Sequence, residues 1–117
     1  MSKKIVIAED DEGILDSMKI MLEMEGYEVK TTVDGKDLHD LKADLADLLL
    51  LDIWLAGMDG RDICKKLRSQ EHTKHLPIIL MSASKEAGKT AKEVGADDFL
   101  EKPFELDELV AMVAKYA

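Results

Sequence analysis

Residues 48–54 read Leu-Leu-Leu-Leu-Asp-Ile-Trp. Four consecutive leucines follow neither the period of an amphipathic strand nor that of a surface helix. So short an apolar run suits a strand covered on both faces, as in the middle of a parallel sheet. The run stops on Asp52, and a carboxylate without a partner is costly to bury. An acid in that place is either a turn residue or a functional group, and the flanking segments bear on which.

Strand-like and helix-like segments alternate on both sides of this run. Upstream, residues 4–8 (KIVIA) are a short β-branched run, and residues 12–25 carry a helical stripe of Ile14, Leu15, Met18, Met21 and Leu22 that stops at Gly26. Residues 27–33 (YEVKTTV) have strand composition, Asp34-Gly35 is a turn signal, and residues 36–45 read as a weaker helix on Leu38, Leu41 and Leu45. Downstream, Asp59 is a suitable N-cap for a helix that turns Ile63, Cys64 and Leu67 inward. Residues 77–81 (PIILM) form a fourth strand, residues 85–94 a shorter helix, and residues 98–101 (DFLE) a fifth strand. The last helix begins near Glu105 and runs to the final residue. Five strands alternating with five helices predict βαβ units and an α/β fold with a parallel sheet, helices on both faces.

The chain has 117 residues, 46% hydrophobic and 35% charged, which fits one globular domain over residues 1–117. Its net charge of -9 argues against a nucleic-acid surface, which needs a basic stripe. Cys64 is the only cysteine, so an intramolecular disulfide is excluded; its place in the helical stripe makes it core filler. No apolar stretch is long enough to span a bilayer, and the opening MSKKIVIAEDDE lacks the form of a signal peptide, so a cytoplasmic location and no membrane partner are expected.

In open parallel sheets, ligands bind outside the carboxyl ends of the strands. Glu9, Asp10 and Asp11 follow the first strand, Asp52 ends the third, Ser82, Ala83 and Ser84 follow the fourth, and Lys102-Pro103 the fifth. With strand order 2-1-3-4-5, the first and third strands are neighbours, and Glu9, Asp10 and Asp52 come within a few ångströms. Like charges so close repel by roughly a few kcal/mol even when partly screened, so such a site takes up protons or a divalent cation. Hard oxygen donors on a partly open rim favour Mg²⁺.

The stretches IVIAEDDEGIL, LLLLDIWLAGMDG, MSAS and DDFLEKPF occur in that order, each at a strand end. Together they resemble the receiver domain of bacterial two-component response regulators over the whole chain. The resemblance implies a flavodoxin-like, three-layer α/β/α sandwich with strand order 2-1-3-4-5. It makes Asp52 the phosphoacceptor, Asp10 a direct Mg²⁺ ligand, Glu9 a ligand through water, and the main-chain carbonyl of Trp54 a further ligand. Ser82 takes the hydroxyl position beside the phosphoryl group and Lys102 the paired lysine. Phe99 holds the aromatic switch position, and Lys102–Pro103 the bond that is usually cis. Trp54 and Ser84 flank the site as modulators. The implied partners are a sensor histidine kinase or a histidine phosphotransfer protein, with the output open. A phosphorylation-dependent dimer through the fourth helix, fifth strand and last helix is a further implication.

Three departures from the family pattern stand out. Ala56 replaces the usual proline, which should loosen the loop after Asp52. Trp54 is a large side chain two residues after the phosphoacceptor, where slowed hydrolysis of the phosphoryl group is expected. The chain is also about two residues short between Ser82 and Gly95, and Gly88 should weaken the helix there. Bland readings run beside these roles. Asp11 caps the first helix or stays solvated, Phe99 packs against the sheet, and His72 and His75 are loop residues. A phosphorylation-independent pseudo-receiver that only binds partners is the alternative within the fold. An aspartyl phosphohydrolase would need an acid where Trp54 stands, and a flavin binder a Ser/Thr/Gly-rich loop where the chain has three acids.

Overall fold

Successive side chains of a strand point to opposite faces of its sheet. In the central strands of this chain both sets are apolar, so the sheet must be covered twice. The computed structural model, which describes residues 2–33 and 46–117, shows how. The strands in chain order are β1 (Lys4–Ala8), β2 (Glu28–Thr32), β3 (Leu48–Asp52), β4 (Trp54–Leu55), β5 (Met58–Asp59), β6 (Ile78–Ser82) and β7 (Asp98–Glu101). The helices described are α1 (Glu12–Met24), α2 (Gly60–Ser69), α3 (Lys85–Ala91) and α4 (Leu106–Tyr116). The helix expected over residues 36–45 lies outside the described residues.

Five strands form one parallel sheet in the order β2-β1-β3-β6-β7. Counting only these five along the chain, this is the expected 2-1-3-4-5 order. Ile5, Ile7, Leu48, Leu50, Ile79 and Met81 bury one face against Leu15, Met18 and Leu22 of α1 and Leu109 and Val113 of α4. Val6, Leu49, Leu51, Ile78 and Leu80 bury the other face against Ile63, Cys64 and Leu67 of α2 and Ala87 and Ala91 of α3. All five residues of β3 are buried, as its unbroken leucine run requires. Each leucine taken out of water there contributes roughly 1.5–3 kcal/mol.

Two elements depart from expectation. α3 spans seven residues and ends at Ala91, three short of Val94; residues 92–95 form turns, and Gly95 has a φ of 91°. The strands β4 and β5 form an antiparallel hairpin beside the main sheet, pairing Trp54 with Asp59 and Leu55 with Met58. No hairpin was expected there. Its two turn residues, Ala56 and Gly57, have φ of 48° and 83°, the positive pair that a tight two-residue hairpin demands.

Candidate phosphorylation and metal site

Register brings the strand-end residues together. Ala8 pairs with Leu51, and Asp52 with Met81, so Glu9 leaves β1 alongside Asp52 at the carboxyl edge. The ladder continues past the strands: Glu9 N–H donates to the Thr32 carbonyl at 3.1 Å, and Lys102 N–H to the Ser82 carbonyl at 2.9 Å. Gly60, the first residue of α2, lies directly behind Asp52, and a Cβ there would collide with the Asp52 carbonyl oxygen. The end of β3 is thus clamped between its sheet neighbours and the start of α2.

Glu9, Asp10 and Asp52 each offer one carboxylate oxygen, and these oxygens lie within 4.8 Å of one another. This is the one such group of three His, Cys, Asp or Glu ligands among the described residues. Glu9 is fully buried and Asp52 nearly so, whereas Asp10 is exposed. The Lys102 ammonium bridges two of the acids, donating to Glu9 Oε2 and, at 3.1 Å, to Asp52 Oδ2. Backbone donors hold the carboxylates in place. Asp11 N–H reaches Glu9 Oε1 at 3.1 Å, Trp54 N–H reaches Asp52 Oδ1 at 3.4 Å, and Ala56 N–H reaches Asp10 Oδ2 at 3.1 Å.

Burial raises the pKa of Glu9 above the ordinary carboxylate value, against the opposing hydrogen bond from Lys102, and the neighbouring Asp52 charge raises it further. Burial works against the Lys102 ammonium as well, but the hydrogen bond to Glu9 and the charges of Asp52 and Glu9 outweigh it and raise its pKa. Two buried carboxylates share the Lys102 ammonium and the exposed Asp10 adds a third acid, a formal charge of -2 over the four groups. Such a donor set, hard oxygens only, fits a small divalent cation.

A cavity of about 450 Å³ opens beside the acids, lined by Asp52, Trp54, Ser82, Ala83, Ser84 and Lys102. Ser82 is buried, and its hydroxyl oxygen accepts from Ser84 N–H at 3.1 Å, so its own proton remains a donor. The Lys102–Pro103 bond is cis, as the resemblance implies. Phe99 is half-buried, packs with the core on the α2 and α3 side and does not line the cavity. Gly88 makes room for its ring: a Cβ at that position would lie 2.9 Å from Phe99 Cδ2.

Other expectations resolve locally. Asp11 caps α1, accepting Ile14 N–H at 3.1 Å, and Asp59 caps α2, accepting Arg61 N–H at 2.9 Å. Cys64 is buried, donates to the Val94 carbonyl, and has its thiol pKa pushed up by burial to about 11, as suits core filler. His72 and His75 line a separate cavity with Asp47 and Glu71 at the opposite edge of the sheet, away from the three acids. Ala56, the position expected to loosen the loop, lies in the β4–β5 turn. The residue sits in a closed hairpin turn at a φ of 48°, which a proline ring cannot adopt, and donates an N–H that proline lacks.

Arg61 escaped the sequence reading. Its guanidinium forks onto Asp59 at 2.8–3.2 Å, donates to Thr90 Oγ1 at 3.2 Å and lies 5.9 Å from the Trp54 ring centroid. The hydrogen bonds from Arg61 lower the Asp59 pKa below its ordinary value. The available signal was the pair Asp59 and Arg61 two residues apart, which by itself names no third partner.

Comparison with known proteins agrees with this geometry. The response regulator receiver domain family matches residues 5–114. The phosphate regulon transcriptional regulatory protein PhoB of Rhizobium meliloti is 39% identical over 116 residues, 97% of this chain and 51% of that protein. A response regulator of Chloroflexus aurantiacus superposes with a TM-score of 0.92 at 34% identity, covering 99% of this chain and 98% of the other. The receiver domain of a sensor histidine kinase of Pseudomonas aeruginosa, with a magnesium ion coordinated in its active site cleft, superposes with a TM-score of 0.85 at 25% identity, covering 99% and 98%. The chain belongs to the response regulator receiver domain family, and its fold is the flavodoxin-like one of that family. It spans about half the length of the curated relatives it matches. Among the described residues no helix is long and apolar enough to cross a membrane.

Proposed function

We propose that this chain is a phosphoacceptor in two-component signalling, taking a phosphoryl group onto Asp52 from a phosphohistidine of a sensor kinase or phosphotransfer protein. The observation that carries the proposal is the excess of carboxylate over ammonium around Asp52, beside an open cavity with room for a phosphoryl group. Glu9, Asp10 and Asp52 are the residues suited to hold Mg²⁺, with the carbonyl of Trp54, two residues after Asp52, as a further donor. A bound Mg²⁺ supplies neutralisation of phosphoryl charge.

The chain's own groups do the rest. An Asp52 carboxylate oxygen attacks phosphorus, the O–P bond forms as the P–N bond of the donor breaks, and the imidazole leaves. Lys102 already pairs with Asp52 Oδ2 and is placed to follow the charge onto a phosphoryl oxygen. The Ser82 hydroxyl faces the same cavity and supplies a hydrogen bond to another. A new dianion recruits the free Ser82 proton and draws Lys102 from its present partners, the kind of local change that can rearrange the neighbouring α3 and Phe99. Trp54 stands at the cavity wall, so slow hydrolysis of the product is expected.

Intact-mass spectrometry with a small phosphodonor tests the proposal. The protein should gain one phosphoryl group with Mg²⁺ present and none after chelation, and Asp52→Asn should gain none in either condition. An unchanged mass for the wild-type chain under all conditions would favour the pseudo-receiver instead.

A further inference from the structure

The Trp54 indole is 60% exposed, yet it walls the cavity that contains Asp52, Ser82 and Lys102. A large apolar ring on a two-residue strand has little packing to fix it. The fixing group is Arg61, whose guanidinium lies 5.9 Å from the ring centroid, within cation–π range. That guanidinium is itself held on two further sides. Nε and Nη2 fork onto Asp59, the residue paired with Trp54 across the hairpin, and Nη1 donates to Thr90 Oγ1 in α3. Thr90 in turn is anchored to its own helix by a 2.9 Å hydrogen bond to the Ala87 carbonyl.

We propose that Arg61 is a positioning residue for the phosphoryl site: it holds the Trp54 indole as the cavity wall and ties that wall to α3 through Thr90. The inference rests on the phosphoacceptor reading given above and adds to it a residue that touches neither the acids nor Lys102. One planar cation serves three partners because its fork satisfies Asp59 with two donors and leaves Nη1 for Thr90, an arrangement a lysine could not reproduce. With the wall held, water approaching the acyl phosphate must pass an ordered ring. With the tie to α3 intact, a shift of that helix moves the wall. The lifetime of the phosphoryl group then depends on the position of α3, by a route separate from Ser82 and Phe99.

The test compares wild type, Arg61→Ala and Thr90→Val, each loaded with a small phosphodonor, by acyl-phosphate lifetime and by acrylamide quenching of Trp54 without phosphodonor. Trp54 is the only tryptophan, so the quenching reads the wall alone. Losing a surface cation–π contact changes such rates by about two- to fivefold. Arg61→Ala is expected to shorten the lifetime by about that factor and to raise quenching within the less than twofold range left to a ring already 60% exposed, and Thr90→Val to do both by about half as much on a log scale. Thr90→Val keeps the size of the side chain and removes only its hydroxyl contacts, so it remains informative if Arg61→Ala folds poorly. Lifetime and quenching unchanged in both variants, with wild type phosphorylated normally, would overturn the inference. Failure of wild type to accept a phosphoryl group would overturn the phosphoacceptor reading on which it stands.

Discussion

The sheet carries acids at both ends, and the two ends use them oppositely. At the amino edge, Asp97 Oδ2 accepts Ile78 N–H and Arg68 Nη2, both at 2.8 Å, and Asp47 Oδ2 accepts Lys4 N–H at 2.7 Å. Arg68 also donates to the carbonyls of Gly95 and Leu76, so one guanidinium pairs Asp97 and ties that edge together, while Asp47 is held by a backbone donor. At the carboxyl edge, three carboxylates each bring an oxygen within 4.8 Å of the others, and the ammonium of Lys102 pairs with only two of them, Glu9 and Asp52. The difference teaches that acids at strand ends do not define a site. Acids spread over separate donors stitch the fold together, whereas acids crowded around one ammonium repel one another and suit a cation.

Substitutions can break this contrast. The largest effect is expected from Gly60→Ala, since a Cβ there meets the Asp52 backbone, which cannot yield as a flexible side chain would. Overpacking of this kind costs about 1–3 kcal/mol. Urea denaturation should show that loss, and because the displaced atoms carry Asp52, phosphorylation should slow as well. At the closed edge, Arg68→Ala removes donors from three acceptors and should destabilise by about 1–2 kcal/mol, discounted for the partial exposure of the ion pair. It should leave the response to Mg²⁺ unchanged.

At the open edge the sign reverses. Asp52→Asn removes one charge from a crowded set, and in metal-free buffer it should stabilise the fold by about 1 kcal/mol, the relieved repulsion being partly offset by the weakened Lys102 bond. Thermal melts with added Mg²⁺ sharpen the point. Wild type should gain about 1.4 kcal/mol at ten times the dissociation constant, and Asp52→Asn should gain far less. A destabilised metal-free Asp52→Asn would mean that this edge is as closed as the other.

Much of the contrast was readable in the sequence. LLLLD marked a doubly covered strand because only a central parallel strand has no polar face to show, and its register against KIVIA set Glu9 beside Asp52. Lys102 by itself reads as a surface charge, and it was legible only through the resemblance of EKPF, just past the fifth strand, to the receiver pattern. The hairpin at residues 54–59 was not, since two-residue strands show no period and the positive φ of Ala56 is written in no residue type that favours it. Arg61 was hidden for another reason. Its partner Thr90 lies 29 residues away, and α3, which carries it, has its place fixed by packing on β6 and β7 rather than by a local signal.

The most direct test locates the phosphoryl group itself. Protein treated with a small phosphodonor and Mg²⁺ can be reduced with borohydride, which converts an aspartyl phosphate to homoserine, and then mapped by tandem mass spectrometry. The modification is predicted at Asp52 alone, dependent on Mg²⁺. A modification at Asp10 or Asp59, or at Asp52 equally without metal, would contradict the account.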